Sequence, residues 1–360
     1  MRRVSFQFLL PCAVVACLLA APAGAEPINY TMVTVGNPGN DNDPATTYGR
    51  VDYSYQIGKY DVTIGQYAAF LNAVDPNGEN PNGIWNSQMQ DNSNITGILY
   101  DVQDNAGSKY SVYGPNGTQH GQSGANRPIT YVSWFDAARF ANWMTNGQGG
   151  PGTTENGAYT LNNVTTGEAV EANPGAAFRL PTNAEWYKAA YYSPTLNSGA
   201  GGYYAYATQS DDAPGNTIGS DPNQANWNTG AGFSVTQSGD YDSNQNYLTD
   251  VGAFSGSGSF YGTFDQSGNV SQWNDLYPNA RAVRGVRGGD WNTDNSYVLS
   301  SGLFGLRTPS DEESFLGFRL ASPFSDPSPV PEIDPNTLGS VLALVLGSLG
   351  LLERRRLKAA

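Results

Sequence analysis

The sequence predicts an α+β fold that is loop-rich, with little regular secondary structure. Two observations carry that prediction. Forty-three glycines and twenty-two prolines punctuate the chain, while twenty-two tyrosines and seven tryptophans supply bulk between the turns. Such a composition favours many turns and short strands over long helices. The second observation is a set of three helix starts, each marked by a side chain able to satisfy the orphan N–H groups of a first turn.

The elements follow in chain order. Thr63 caps a helix with Ile64, Tyr67, Ala68, Leu71 and Val74 on one face, the spacing of an amphipathic helix. Residues Asn77 to Asn126 are polar and Gly-rich, and read as a long insertion. Ser133 and Asp136 form a capping-box-like pair before Ala137, Ala138 and Ala141, and Asn146-Gly147 offers a stop. Thr182 and Glu185 form a capping box ahead of Trp186 to Tyr191. No internal repeat is visible.

Both ends of the chain read as addresses. Arg2 and Arg3 precede a nearly unbroken apolar run from Phe6 to Ala21, and Ala23-Gly24-Ala25 follows. That order is expected of a secretory signal peptide over residues 1–25, cut by signal peptidase to leave Glu26 first. Residues 26–325 then form one domain, and residues 326–360 a tail. In the tail, Pro327-Ser328-Pro329-Val330-Pro331 is an extended linker. Asn336 to Leu352 carries no charge, and Arg354-Arg355-Arg356 follows. Its seventeen residues are at the short limit for crossing a bilayer as a helix; one reading is a tail anchor with the arginines on the cytoplasmic side. The layout resembles the PEP-CTERM sorting signal of bacterial surface proteins, with Ile333 where a second proline usually stands. The resemblance implies processing by an exosortase and a cell-surface destination.

Six of the eighteen Lys and Arg residues belong to the two ends, and three of the thirty-two acidic residues lie beyond Val330. Twelve basic and twenty-nine acidic residues remain between Glu26 and Val330, a net of −17. Such a surface repels nucleic acid and anionic lipid.

Six stretches occur in an order that matches a known family. They are Tyr55 to Thr63, Arg127 to Trp134, Phe178 to Trp186, Asp265 to Trp273, Arg287-Gly288-Gly289-Asp290-Trp291, and Leu316 to Leu320. Together they resemble the formylglycine-generating enzyme, or sulfatase-modifying factor, domain over roughly Tyr55 to Ala321. The resemblance implies a variant of the C-type-lectin-like fold with a loop-built cleft. Read physically, Trp186, Trp273 and Trp291 are core aromatics, and Arg179 and Arg319 pair with buried carboxylates.

The family's enzymes oxidise a sulfatase cysteine to formylglycine with copper held by two cysteines, which suits a soft ion. Aligned from Gly288-Gly289, those two positions are Thr293 and Val298. The chain's two cysteines, Cys12 and Cys17, both lie in the leader. Copper is therefore not expected. A second branch of the family holds iron with three histidines, but His120 is the sole histidine here, so iron is not expected either. Two readings of the cleft stay open: a non-catalytic binding or structural module, or an enzyme working through carboxylates such as Asp290 and Asp294. Retained sulfatase maturation is the weakest.

Calcium suits an acidic chain rich in Asn and Asp. The resemblance implies two structural calcium sites. One would use Asp265, the carbonyls of Gly268 and Val270, and Gln272 where the family has Glu. The other would use Asn226, the Trp227 carbonyl, and an acidic residue at Asp240 or Asp242. The alternative is a turn at Asp265 to Asn269 closed by its own side chains. The expected partners are a glycan or peptide ligand and the export machinery, with Tyr203, Tyr204 and Tyr206 either packed or offered for stacking.

Overall fold

The computed structural model describes residues 27–95, 97–113, 124–275, 282–294, 298–299 and 305–323. The leader, His120, the apolar tail span and the arginine cluster lie outside them. In chain order the elements are β1 (Met32–Val35), β2 (Tyr55–Gly58), α1 (Ile64–Val74), α2 (Gln88–Asp91), β3 (Ile98–Tyr100), β4 (Tyr110–Val112), α3 (Trp134–Thr145), α4 (Asn183–Tyr191), β5 (Tyr192–Ser193), β6 (Gly202–Tyr203), β7 (Ser271–Asn274), β8 (Arg284–Arg287), β9 (Gly305–Arg307), β10 (Leu316–Gly317) and β11 (Ala321–Pro323). No described helix is long and apolar enough to cross a membrane.

All three expected helices form, each behind a closed capping box. Thr63 Oγ1 accepts from Gln66 N–H at 3.3 Å, and Gln66 Oε1 accepts from Thr63 N–H at 3.0 Å. Ser133 with Asp136 and Thr182 with Glu185 repeat the exchange for α3 and α4. Each box satisfies two donors that a helix start otherwise leaves unmet. The face read from the sequence for α1 is the buried one. It meets α3 through rings: Tyr67 stacks on Phe140 at 6.0 Å, and Phe70 and Trp143 close the cluster. The stretch 77–126 contributes more than surface, because Ile84, Met89, Ile95, Ile98 and Tyr110 join this core.

Two sheets frame the domain. In one, β2 is the centre, with β1 and β11 antiparallel on either side. The other has the order β10-β7-β8-β9, with β10 parallel to β7 and the other pairs antiparallel.

One buried guanidinium links these parts. Arg319 donates from Nε to Gln272 Oε1 (2.7 Å), from Nη1 to the Gly58 carbonyl (3.0 Å), and from Nη2 to Asp61 Oδ1 (2.9 Å) and the Phe264 carbonyl (2.7 Å). Gln272 Oε1 also accepts from Trp186 Nε1 at 2.7 Å. Arg179 pairs with buried Glu185 through two bonds of 2.5 and 2.6 Å. Both arginines thus serve carboxylates, and Trp186, Trp273 and Trp291 are all buried.

Two predictions follow from this core. Arg319→Met removes one partner of a buried pair and should destabilise the domain by about 3–5 kcal/mol, read from chemical denaturation. The second concerns pH. Burial pushes the Asp136 carboxyl up to about 7, with the hydrogen bonds from Ser133 opposing. A carboxyl with a folded-state pKa above its unfolded value near 3.9 holds its proton more tightly when folded. Its stabilisation is full below the unfolded value and is lost as pH climbs toward the folded one. Tm should therefore fall as pH rises from about 4 to about 7, and a flat or rising Tm would contradict the assignment.

Candidate functional site

The Gly288-Gly289-Asp290-Trp291 element turns the chain out of β8. Gly288 and Gly289 have φ of +100° and +68°, conformations that L side chains rarely adopt. A Cβ on Gly288 would lie 3.1 Å from the Gln266 carbonyl oxygen and 3.3 Å from the Trp186 ring. The Gly288 carbonyl accepts from Gly268 N–H at 2.7 Å, tying this turn to the 265–270 loop.

Asp290 and Thr293 close the next turn on themselves. Asp290 N–H donates to Thr293 Oγ1 (2.8 Å), and that hydroxyl donates to the Asp290 carbonyl (2.9 Å). Asp290 Oδ1 accepts from Asn292 N–H at 2.9 Å. Burial raises the Asp290 carboxyl to about 6, with the N–H groups of Asn292 and Thr293 opposing. A cavity of ≈ 400 Å³ opens here, bounded by Ser271, Arg287, Asp290, Thr293, Asp294 and Arg307. The two carboxylates singled out in the sequence therefore share one cleft.

Val298 is elsewhere. It is wholly buried, packed with Tyr206, Ala225 and Trp227, and its carbonyl accepts from Ser267 Oγ at 3.3 Å. The structure does not bring it to the cavity that Thr293 lines. Beneath the turn, Trp291 stacks on Tyr247 with centroids 4.9 Å apart and planes 7° apart, and Tyr241 stacks on Tyr247 at 5.7 Å. Sequence reasoning missed this stack. Its signal was the pair of tyrosines spaced six apart in an Asn/Asp-rich loop, which carries no periodicity.

The residues proposed for calcium fall into two settings. Asp265 is half-buried with φ +60° and accepts from Gly252 N–H at 2.7 Å through Oδ2. Gln272 lies beside it, but its Oε1 is taken by Trp186 and Arg319, and its Nε2 donates to the Asp265 carbonyl at 2.7 Å. An amide oxygen already accepting two N–H bonds, one from a cation, does not suit a calcium ligand. Gly268 and Val270 continue the same strand entry, and Gly268 crosses Asn226 so closely that a Cβ would sit 2.1 Å from the Asn226 carbonyl oxygen. Asn226 spends its Nδ2 on the Tyr247 carbonyl and Asn269 Oδ1, both at 2.9 Å. Trp227 is buried and donates to the Pro214 carbonyl, whereas Asp240 stands exposed in a turn with Ser238. Among the described residues no three Asp, Glu, His or Cys side chains gather in a way that could hold a metal.

The model of the sulfatase-modifying factor enzyme 1-like domain matches residues 27–323. The chain belongs to this family. Three solved structures are similar to it. CarF is 22% identical, with a TM-score of 0.47 over 82% of this chain and 99% of that one. Treponema denticola variable protein 1 is 19% identical, with a TM-score of 0.47 over 83% and 97%. PvdO from Pseudomonas aeruginosa is 18% identical, with a TM-score of 0.39 over 82% and 92%. A search of curated proteins finds no match.

In this sulfatase-modifying-factor domain the Gly-Gly turn is the scaffold of the cleft. Gly288→Ala should cost about 1–3 kcal/mol, from strain at a positive φ and the contact with Gln266. Urea unfolding measures it, and an unchanged midpoint would show that the turn relaxes.

Proposed function

We propose that this protein is an exported, surface-associated member of the sulfatase-modifying-factor family that binds rather than catalyses. The observation that carries this reading is the fate of the two copper positions. Thr293 has a hydroxyl bound to its own turn, and Val298 is enclosed in an apolar cluster. Neither offers the soft ligand that copper(I) needs. No other thiol remains once residues 1–25 are removed. Asp290 supports the same reading, because its carboxylate caps a turn instead of facing a partner base. The leader-like N-terminus and the PEP-CTERM-like tail support export and sorting by an exosortase-type enzyme. Calcium has weaker support, since Gln272 is already committed.

The test is direct. Purified protein loaded with copper(I) and incubated with a cysteine-bearing sulfatase peptide should leave the peptide mass unchanged. Formation of formylglycine would overturn the proposal. For the tail, replacing Arg354, Arg355 and Arg356 by Ser should alter the fraction of protein retained at the envelope. Identical fractionation of the two forms would remove the sorting role.

A further inference from the structure

A second cavity, of ≈ 650 Å³, opens at the N-terminal end of α4. Among the residues that bound it are Tyr48, Arg50, Tyr53, Arg179, Asp275 and Arg284, and it shares no lining residue with the cleft at Thr293. Its volume falls within the range of small-molecule sites.

The guanidiniums of this cavity are paired within the protein. Arg179 is held by Glu185 through two short bonds. Arg284 Nε lies 3.3 Å from Asp275, with the guanidinium 4.9 Å from the centre of the Trp134 ring. Asp275 also accepts from Trp134 Nε1 at 2.9 Å and from the Tyr159 hydroxyl at 3.1 Å. At the rim Arg50 is 2.9 Å from Asp52 and 3.8 Å from Asp41. Each guanidinium faces a carboxylate, so the wall is rich in fixed donors and acceptors yet has no excess positive charge to attract an anion. The surrounding surface, at a net of −17, repels anions further. A bare cation gains little either, because the carboxylates Asp52, Asp275 and Glu185 are already held by guanidiniums.

Tyr53 adds the other half of the recognition chemistry. The residue is 49% exposed, its ring packs edge-on to Tyr55 at 6.2 Å, and its hydroxyl donates to Glu185 Oε1 at 3.0 Å. The ring is thereby fixed at the mouth with an apolar surface open to a ligand. A neutral molecule with many hydroxyls and apolar C–H faces satisfies both halves.

We propose that this cavity is a binding site for a neutral saccharide, with Tyr53 as the stacking wall and Arg50 as a rim hydrogen-bond donor. The proposal rests on the binding-module reading above, and gives it a place and a ligand class. Calorimetry of the purified protein against neutral oligosaccharides (cello-, malto-, xylo- and chito-oligomers) and against oligogalacturonate tests it. At least one neutral series should bind, with oligogalacturonate weaker. Tyr53→Ala and Arg50→Ala should each weaken binding by about tenfold. Tyr241→Ala, at an exposed tyrosine that does not line the cavity, should leave it unchanged. Absence of binding to every neutral series would overturn the proposal, as would preferential binding of oligogalacturonate or a loss confined to Tyr241→Ala. Binding accompanied by cleavage of the sugar would support the site and overturn the non-catalytic reading, so the two claims fail separately.

Discussion

The domain depends on one buried guanidinium. Arg319 sits beside β11 and reaches the end of β2, the side chain of Asp61, the 264–265 loop and Gln272 of β7. Gln272 in turn holds the indole of Trp186 on α4. A fold of short strands has few ladder bonds to spend, so its segments must be fixed by side chains that reach backbone. Arginine does this well because its planar head presents five donors in set directions. The gain depends on every acceptor being in place, since a buried charge that lacks partners is costly.

Much of this architecture was legible in the sequence, for reasons that can be named. Capping boxes are local, so Thr63, Ser133 and Thr182 announced three helices without help from tertiary structure. Arg179 and Glu185, six apart across a helix start, were likewise within reach of sequence reasoning. The sheets were not, because their strands are two to four residues long and join partners such as Ile57 and Ala321 far apart in sequence. The cleft was half legible. Gly288-Gly289 marked the turn, but the burial of Val298 depends on Tyr206 and Trp227, which no local pattern connects to it. The hydrogen bonds of Gln272 were equally illegible, because Trp186 and Arg319, which share its oxygen, lie 86 and 47 residues away.

The contrast between frame and site is instructive. The turn at Gly288-Gly289 has a tight link to Gly268 and a tryptophan stack beneath it. Past it, Thr293 folds onto its own backbone and Val298 packs among rings. A fold and the chemistry of a site built on it can vary independently.

The first and last strands of the domain flank the same central strand, β2. The described residues of the domain thus begin and end on one sheet. Neither end can peel away without stripping an edge from the sheet that Arg319 anchors at Gly58. Loss of order at one terminus is transmitted to the other through a single four-residue strand. Fraying, which in most domains begins independently at each end, becomes here a single event.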